Sequence, residues 1–161
     1  MTQQLRHEHT YAAPLDDVAA MLGDPAFRHR VCEAQRVISA DVHVEPEGPG
    51  PKKVRVDQRQ EARGLPSFAA RIVGEQIQIV REETWRSSAH ADLTLAIPGK
   101  PGDIGGTIEL RESAGSTTQT VSLRLSIPIP FVGGKVESLV ADLLRKYFTA
   151  ENEVGDAYLS A

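Results

Sequence analysis

A single cysteine, Cys32, in 161 residues excludes an internal disulfide, so the fold must rest on its core. Cys32 itself reads as a small core or helix-face residue, since no motif frames it as a nucleophile. No apolar run approaches 18 residues and no charged-then-apolar leader follows Met1, which implies a cytoplasmic chain without a transmembrane segment. With a formal charge of −4 and no Lys/Arg cluster interleaved with aromatics, nucleic acid is not an expected partner. Motifs of nucleotide and hydrolase chemistry are missing too. Gly105-Gly106 follows a hairpin loop and opens a strand, whereas a phosphate cradle needs a strand-to-helix turn. Gly133-Gly134 lies near a helix start without the Lys-Ser/Thr ending of a nucleotide loop, and there is no Gly-x-Ser-x-Gly elbow. His7-Glu8-His9 has the wrong spacing for a zinc-protease helix. As metal ligands, His7 and His9 lack a third and fourth partner, so neither a metal nor another cofactor is expected.

What is present is a long C-terminal amphipathic pattern. From Phe131 to Leu159, Val132, Val136, Leu139, Val140, Leu143, Leu144, Tyr147, Phe148 and Val154 recur at steps of three and four, with Glu137, Asp142, Arg145, Lys146 and Glu153 largely opposite. Burying the eight large apolar side chains from Val136 to Val154 is worth on the order of 15 kcal/mol before entropy, at roughly 2 kcal/mol each. Such a helix has to lie on a sheet. The length and the 40% hydrophobic content predict one globular domain over residues 1–161, large enough to hold a cavity. A monomer or weak homodimer is the expected state.

The preceding elements are short. Leu5 to Tyr11 alternates as a strand; Pro14, with Asp16 and Asp17 in the first turn, opens a helix that ends at Gly23. Asp24-Pro25 then opens a second, with Phe27 and Val31 on its buried side. Val37 to Glu45 and Lys52 to Ala62 read as a hairpin around a tip of proline and glycine, residues 46–51. Gly64 and Gly74 bracket one or two helical turns containing Phe68 and Ile72, a flap. Strands follow at Glu75 to Trp85, Ala89 to Ile97, Gly106 to Ser113 and Thr118 to Ile127.

This order, with Tyr11-Ala12-Ala13-Pro14-Leu15-Asp16-Asp17-Val18 at the strand-to-helix entry, resembles the START-like superfamily, also called SRPBCC or helix-grip. There a seven-stranded antiparallel sheet curls around a C-terminal helix in an α+β fold. Leu65-Pro66 with Ala70-Arg71 before Gly74, Trp85, Pro98-Gly99-Lys100-Pro101-Gly102 and the run Pro128 to Glu137 are similar to the uncharacterised bacterial family catalogued as domain of unknown function 2505. The resemblance implies a cavity between sheet and helix. Members of the superfamily bind lipids, sterols, polyketides or hormones, and others are cyclases or hydrolase-like enzymes, so the fold leaves the chemistry open.

Pleat parity says which residues see that cavity. Residues two apart share a face, so Leu5 and Tyr11 bring His7 and His9 inward; Ile77, Ile79 and Trp85 bring Arg81 and Glu83; Val54 and Val56 bring Gln58 and Gln60. The ligand-facing candidates are His7, His9 and Tyr11, then Phe27 on the second helix and Phe68 and Ile72 on the flap. Ile79, Trp85, Leu95 and Leu123 join them from the sheet, and Val140, Leu143, Leu144 and Tyr147 from the long helix. Arg28 and His29 read as solvated. Two functions fit. One is a non-catalytic carrier or sensor for a hydrophobic small molecule, lipid or polyketide-like, with the flap controlling entry. The alternative is a cyclase- or hydratase-type enzyme using Glu83, Arg81 or His9 as acid–base groups.

Overall fold

The computed structural model describes residues 2–46, 52–62 and 64–161; the expected hairpin tip at 47–51 lies outside them. Strand β1 (Gln3–Tyr11) leads into α1 (Leu15–Leu22) and α2 (Pro25–Ala34), then β2 (Ser39–Glu45), β3 (Lys53–Glu61), α3 (Ser67–Val73), β4 (Gln76–Ser87), β5 (His90–Ala96), β6 (Asp103–Ser113), β7 (Ser116–Ser126) and α4 (Gly133–Ser160). The strands form one antiparallel sheet in the order β1-β7-β6-β5-β4-β3-β2. This is the α+β helix-grip architecture, with a curved sheet closed on one face by a 28-residue helix.

Local chemistry accounts for the entries. Pro14 sits at the N-cap of α1 with Asp16 and Asp17 in the first turn, while the Asp24 carboxylate accepts from Ala26 N at 2.9 Å and Pro25 fills N1 of α2. Alternation in the strands then selects the buried face: Val54, Val56 and Gln58 of β3, Ala91, Leu93 and Leu95 of β5, and Val121, Leu123 and Leu125 of β7. Helix α4 packs chiefly on β1 and α2 through Ala141, Leu144, Phe148, Asn152 and Gly155.

Several boundaries and faces depart from the sequence reading. Gly105 and Gly106 lie inside β6, which begins at Asp103. A Cβ on Gly106 would collide with the Ser122 carbonyl of β7, so the glycine serves close strand approach in a curving sheet and does not mark a strand start. Phe131 precedes α4 at φ 69° and is fully exposed, so it stands outside the stripe. Glu137, placed by the pattern on the polar face, is 1% exposed because its carboxylate accepts from Ile127 N at 2.8 Å and holds the end of β7 to the first turns of α4. Leu143 is 42% exposed whereas its neighbour Leu144 is buried. Leu143→Arg is therefore expected to change stability by less than about 1 kcal/mol, while Leu144→Ala costs about 2–3 kcal/mol in chemical denaturation.

Candidate functional site

Four charged side chains meet in the core. Arg28, Arg81, Glu83 and Glu151 are each at most 2% exposed. Arg28 grips Glu83 with two parallel bonds, Nη1 to Oε2 and Nη2 to Oε1, both 2.8 Å, and its Nε and Nη2 also donate to Leu22 O. Arg81 donates from Nε to Glu83 Oε2 at 2.7 Å and from Nη1 to Glu151 Oε1 at 2.6 Å. Trp85 Nε1 adds a fourth bond to Glu83. Burial alone would raise the Glu83 carboxyl, but Arg28, Arg81 and these bonds hold it down, from an ordinary 4.5 to about 2. Glu83 is thus ionised and saturated, and the sequence expectation of a solvated Arg28 is corrected: α2 packs against α4 and β2, and Arg28 is buried. Such a network specifies geometry more than it adds net stability, since desolvating the ions consumes most of the attraction.

Beside the cluster lies an open cleft of about 310 Å³. Ile77, Ile79, Leu95, Ile97 and Ile104 form the sheet wall; Val140, Leu143, Leu144, Tyr147 and Ala150 form the α4 wall, with Leu65 at the root of the flap. Glu61 and Lys146 sit among the lining residues, as do the amides of Gln35 and Gln60. Tyr147 belongs to both regions: it lines the cleft, and its phenol oxygen accepts from Arg81 Nη1 at 3.2 Å. Burial pushes the Tyr147 phenol upward against the pull of Arg81, so it keeps its proton. Behind the Gln60 side chain runs a short relay. Cys32 Sγ contacts Gln58 Oε1 at 3.8 Å, Gln58 Nε2 donates to Gln35 Oε1 (3.3 Å) and Gln60 Oε1 (3.0 Å), and Gln35 Nε2 donates to the Tyr147 carbonyl at 3.2 Å.

The structure gathers Ile79, Leu95, Val140, Leu143, Leu144 and Tyr147 around this cleft. It places the other candidates elsewhere. His7 and His9 do point toward α4, where His7 Nε2 bonds Asn152 Oδ1 at 2.7 Å and His9 Nε2 bonds Asp156 Oδ1 at 2.8 Å, so they fasten β1 to the helix. Tyr11 Oη accepts from Asn152 Nδ2, and Phe27 packs edge-on against Tyr158. Trp85 and Leu123 are buried in the core cluster, while Phe68 and Ile72 are half-buried on α3 and outside the cleft lining. Among the described residues no three His, Cys, Asp or Glu side chains converge as a metal site. Missed in the sequence were Glu151 and the pairing role of Arg28. The signal for Glu151 was its place on the buried stripe, seven residues after Leu144 and three after Phe148.

The geometry can be set beside known proteins. A protein of Thermus thermophilus superposes with a TM-score of 0.67 at 18% identity, covering 96% of this chain and 95% of that one. Norcoclaurine synthase from Thalictrum flavum gives 0.60 at 14% identity (96% and 87%), and an aromatase/cyclase from a Streptomyces species gives 0.52 at 16% identity (96% of each). At such identities the likeness is one of fold. Uncharacterized proteins of Mycobacterium tuberculosis and Mycobacterium bovis are 28% identical over 100 residues, and this chain spans 58% of the length of these curated relatives. The family model described as protein of unknown function (DUF2505) matches residues 6–159, and the chain belongs to that family.

Proposed function

We propose that the cleft between the sheet and α4 holds a hydrophobic small molecule and that the protein acts as a non-catalytic carrier or sensor. The observation that carries this reading is an apolar cleft of about 310 Å³ that abuts a charge cluster whose carboxylate Glu83 is already saturated. That volume falls at the lower end of small-molecule sites, and aliphatic walls with a few polar groups are their usual lining. A carboxyl held at about 2 has no proton to exchange near neutral pH, which argues against Glu83 as a general acid or base. Of the other acid–base candidates, Arg81 is bound to Glu83 and Glu151, and His9 bonds Asp156 and is not a cleft residue. The flap helix, flanked by Gly64 and Gly74 at positive φ, joins the cleft through Leu65, which suits it to control entry.

The test uses an environment-sensitive apolar dye, with native mass spectrometry of protein taken directly from cells to find a co-purifying molecule. Saturable uptake of about one dye per chain is expected. Leu143→Arg, which the exposure of Leu143 makes harmless to the fold, is expected to weaken uptake about tenfold or more, because a charge then borders the apolar wall. Wild-type protein that takes up no dye and no member of a broad lipid and aromatic panel would count against the reading. Turnover of an activated carbonyl substrate that disappears in Glu83→Gln would favour the enzyme instead.

A further inference from the structure

We infer that the molecule held in the cleft is uncharged and presents a hydrogen-bond acceptor, a carbonyl oxygen, to Gln60 Nε2 and the Tyr147 hydroxyl. The inference rests on the cleft-binding reading above and narrows its ligand class. It begins at a backbone atom. The Tyr147 carbonyl can only accept, so the Gln35 group 3.2 Å away is its NH₂, and Gln35 Oε1 must face Gln58. An oxygen there demands a donor, which makes the facing Gln58 atom Nε2. The same Nε2 donates its second proton to Gln60 at 3.0 Å, so the Gln60 atom in that bond is Oε1. Each amide orientation is forced by the one before it. The relay ends with Gln60 Oε1 occupied and Gln60 Nε2 without a partner among the described residues, on a half-buried side chain that lines the cleft.

Tyr147 arrives at the same polarity from the other side. Its oxygen accepts from Arg81 Nη1, and the phenol keeps its proton, so the polar capacity left over is the O–H donor. Gln60 Nε2 and the Tyr147 O–H are therefore both donors, and an acceptor satisfies the two together. Charge selects which acceptor. Arg28 and Arg81 are balanced by Glu83 and Glu151, and Lys146, the lysine of the lining, is exposed, where water and salt screen its charge, so an anionic head group finds little to offset its desolvation. A neutral carbonyl meets both conditions.

Four naphthalenes of nearly one shape separate the possibilities by equilibrium dialysis at pH 7: 2-acetylnaphthalene, 2-ethylnaphthalene, 2-naphthoate and 1-(2-naphthyl)ethylamine. The ketone is expected to bind about fivefold or more tighter than the hydrocarbon, the scale of one or two neutral hydrogen bonds, and tighter than either ion. Gln60→Leu and Tyr147→Phe should each remove about fivefold from the ketone and nothing from the hydrocarbon. Gln60→Glu, which turns an acceptor into the cleft, should move the preference toward the amine. Tightest binding of naphthoate or of the amine to the wild type, or a ketone advantage undiminished in both Gln60→Leu and Tyr147→Phe, overturns the inference while leaving cleft binding intact. Failure of all four to bind overturns the cleft-binding reading itself.

Discussion

Glu83→Ala is expected to lower the unfolding free energy by about 3–5 kcal/mol, the cost of leaving a buried charge without its partner. Removing this carboxylate strips Arg28 of both charged contacts and Arg81 of one, and leaves Trp85 Nε1 with no acceptor, all inside the core. Denaturant titration should report the loss as a shifted midpoint at an unchanged slope. The double change Arg28→Met with Glu83→Leu should recover part of it, because Arg81 retains Glu151 while the unmatched Arg28 charge is gone. Acid stability carries the same signature. The Glu83 carboxyl titrates near 2 when folded and near 4.5 when free, so its contribution is fully present above about pH 4.5 and fades as pH falls toward 2. That difference corresponds to about 3 kcal/mol, and Glu83→Gln should flatten the acid limb of the stability curve by a comparable amount.

Gly155→Leu should be about as damaging, near 3–4 kcal/mol by the same titration, at the upper end of overpacking costs. A Cβ at this position would stand 2.7 Å from Tyr11 Cε1 and 2.8 Å from its hydroxyl, and the Tyr11 side chain is fully buried and bonded to Asn152. Glycine inside a helix costs about 1 kcal/mol relative to alanine, so its presence in α4 reflects what it admits: the Tyr11 ring, fixed by Asn152 one helical turn away. Gly155→Ala should cost less, as the gain in helix propensity offsets part of the strain.

Periodicity made the architecture legible. Period two in the strands and steps of three and four from Val136 to Val154 left a sheet-on-helix packing as the way to bury both apolar faces, and parity alone placed Arg81, Glu83, Gln58 and Gln60 indoors. Within the cleft the same logic reached Ile79, Leu95, Val140, Leu144 and Tyr147. It failed where a polar side chain took a buried position for the sake of a partner distant in the chain. Arg28 is 55 residues from Glu83, and Glu151 is 70 from Arg81, so neither pairing leaves a local trace. Glu137 shows the converse: a charge on an amphipathic helix was assigned to solvent, yet it caps the backbone of Ile127. His7 and His9 were aimed correctly by the pleat, but the curl of the sheet brings α4 onto them before the cleft begins. Parity fixes a face, and only the crossing of α4 decides whether that face meets helix or open space.

On the proposed function, an apolar molecule occupies the space between β4, β5 and α4. Methyl-resolved NMR during titration with 2-acetylnaphthalene tests it directly. One saturable event is predicted, at about one molecule per chain, with the largest shifts on Ile79, Leu95, Val140 and Leu144. Linear, unsaturable shifts, or shifts concentrated at the exposed Ile38, would contradict it.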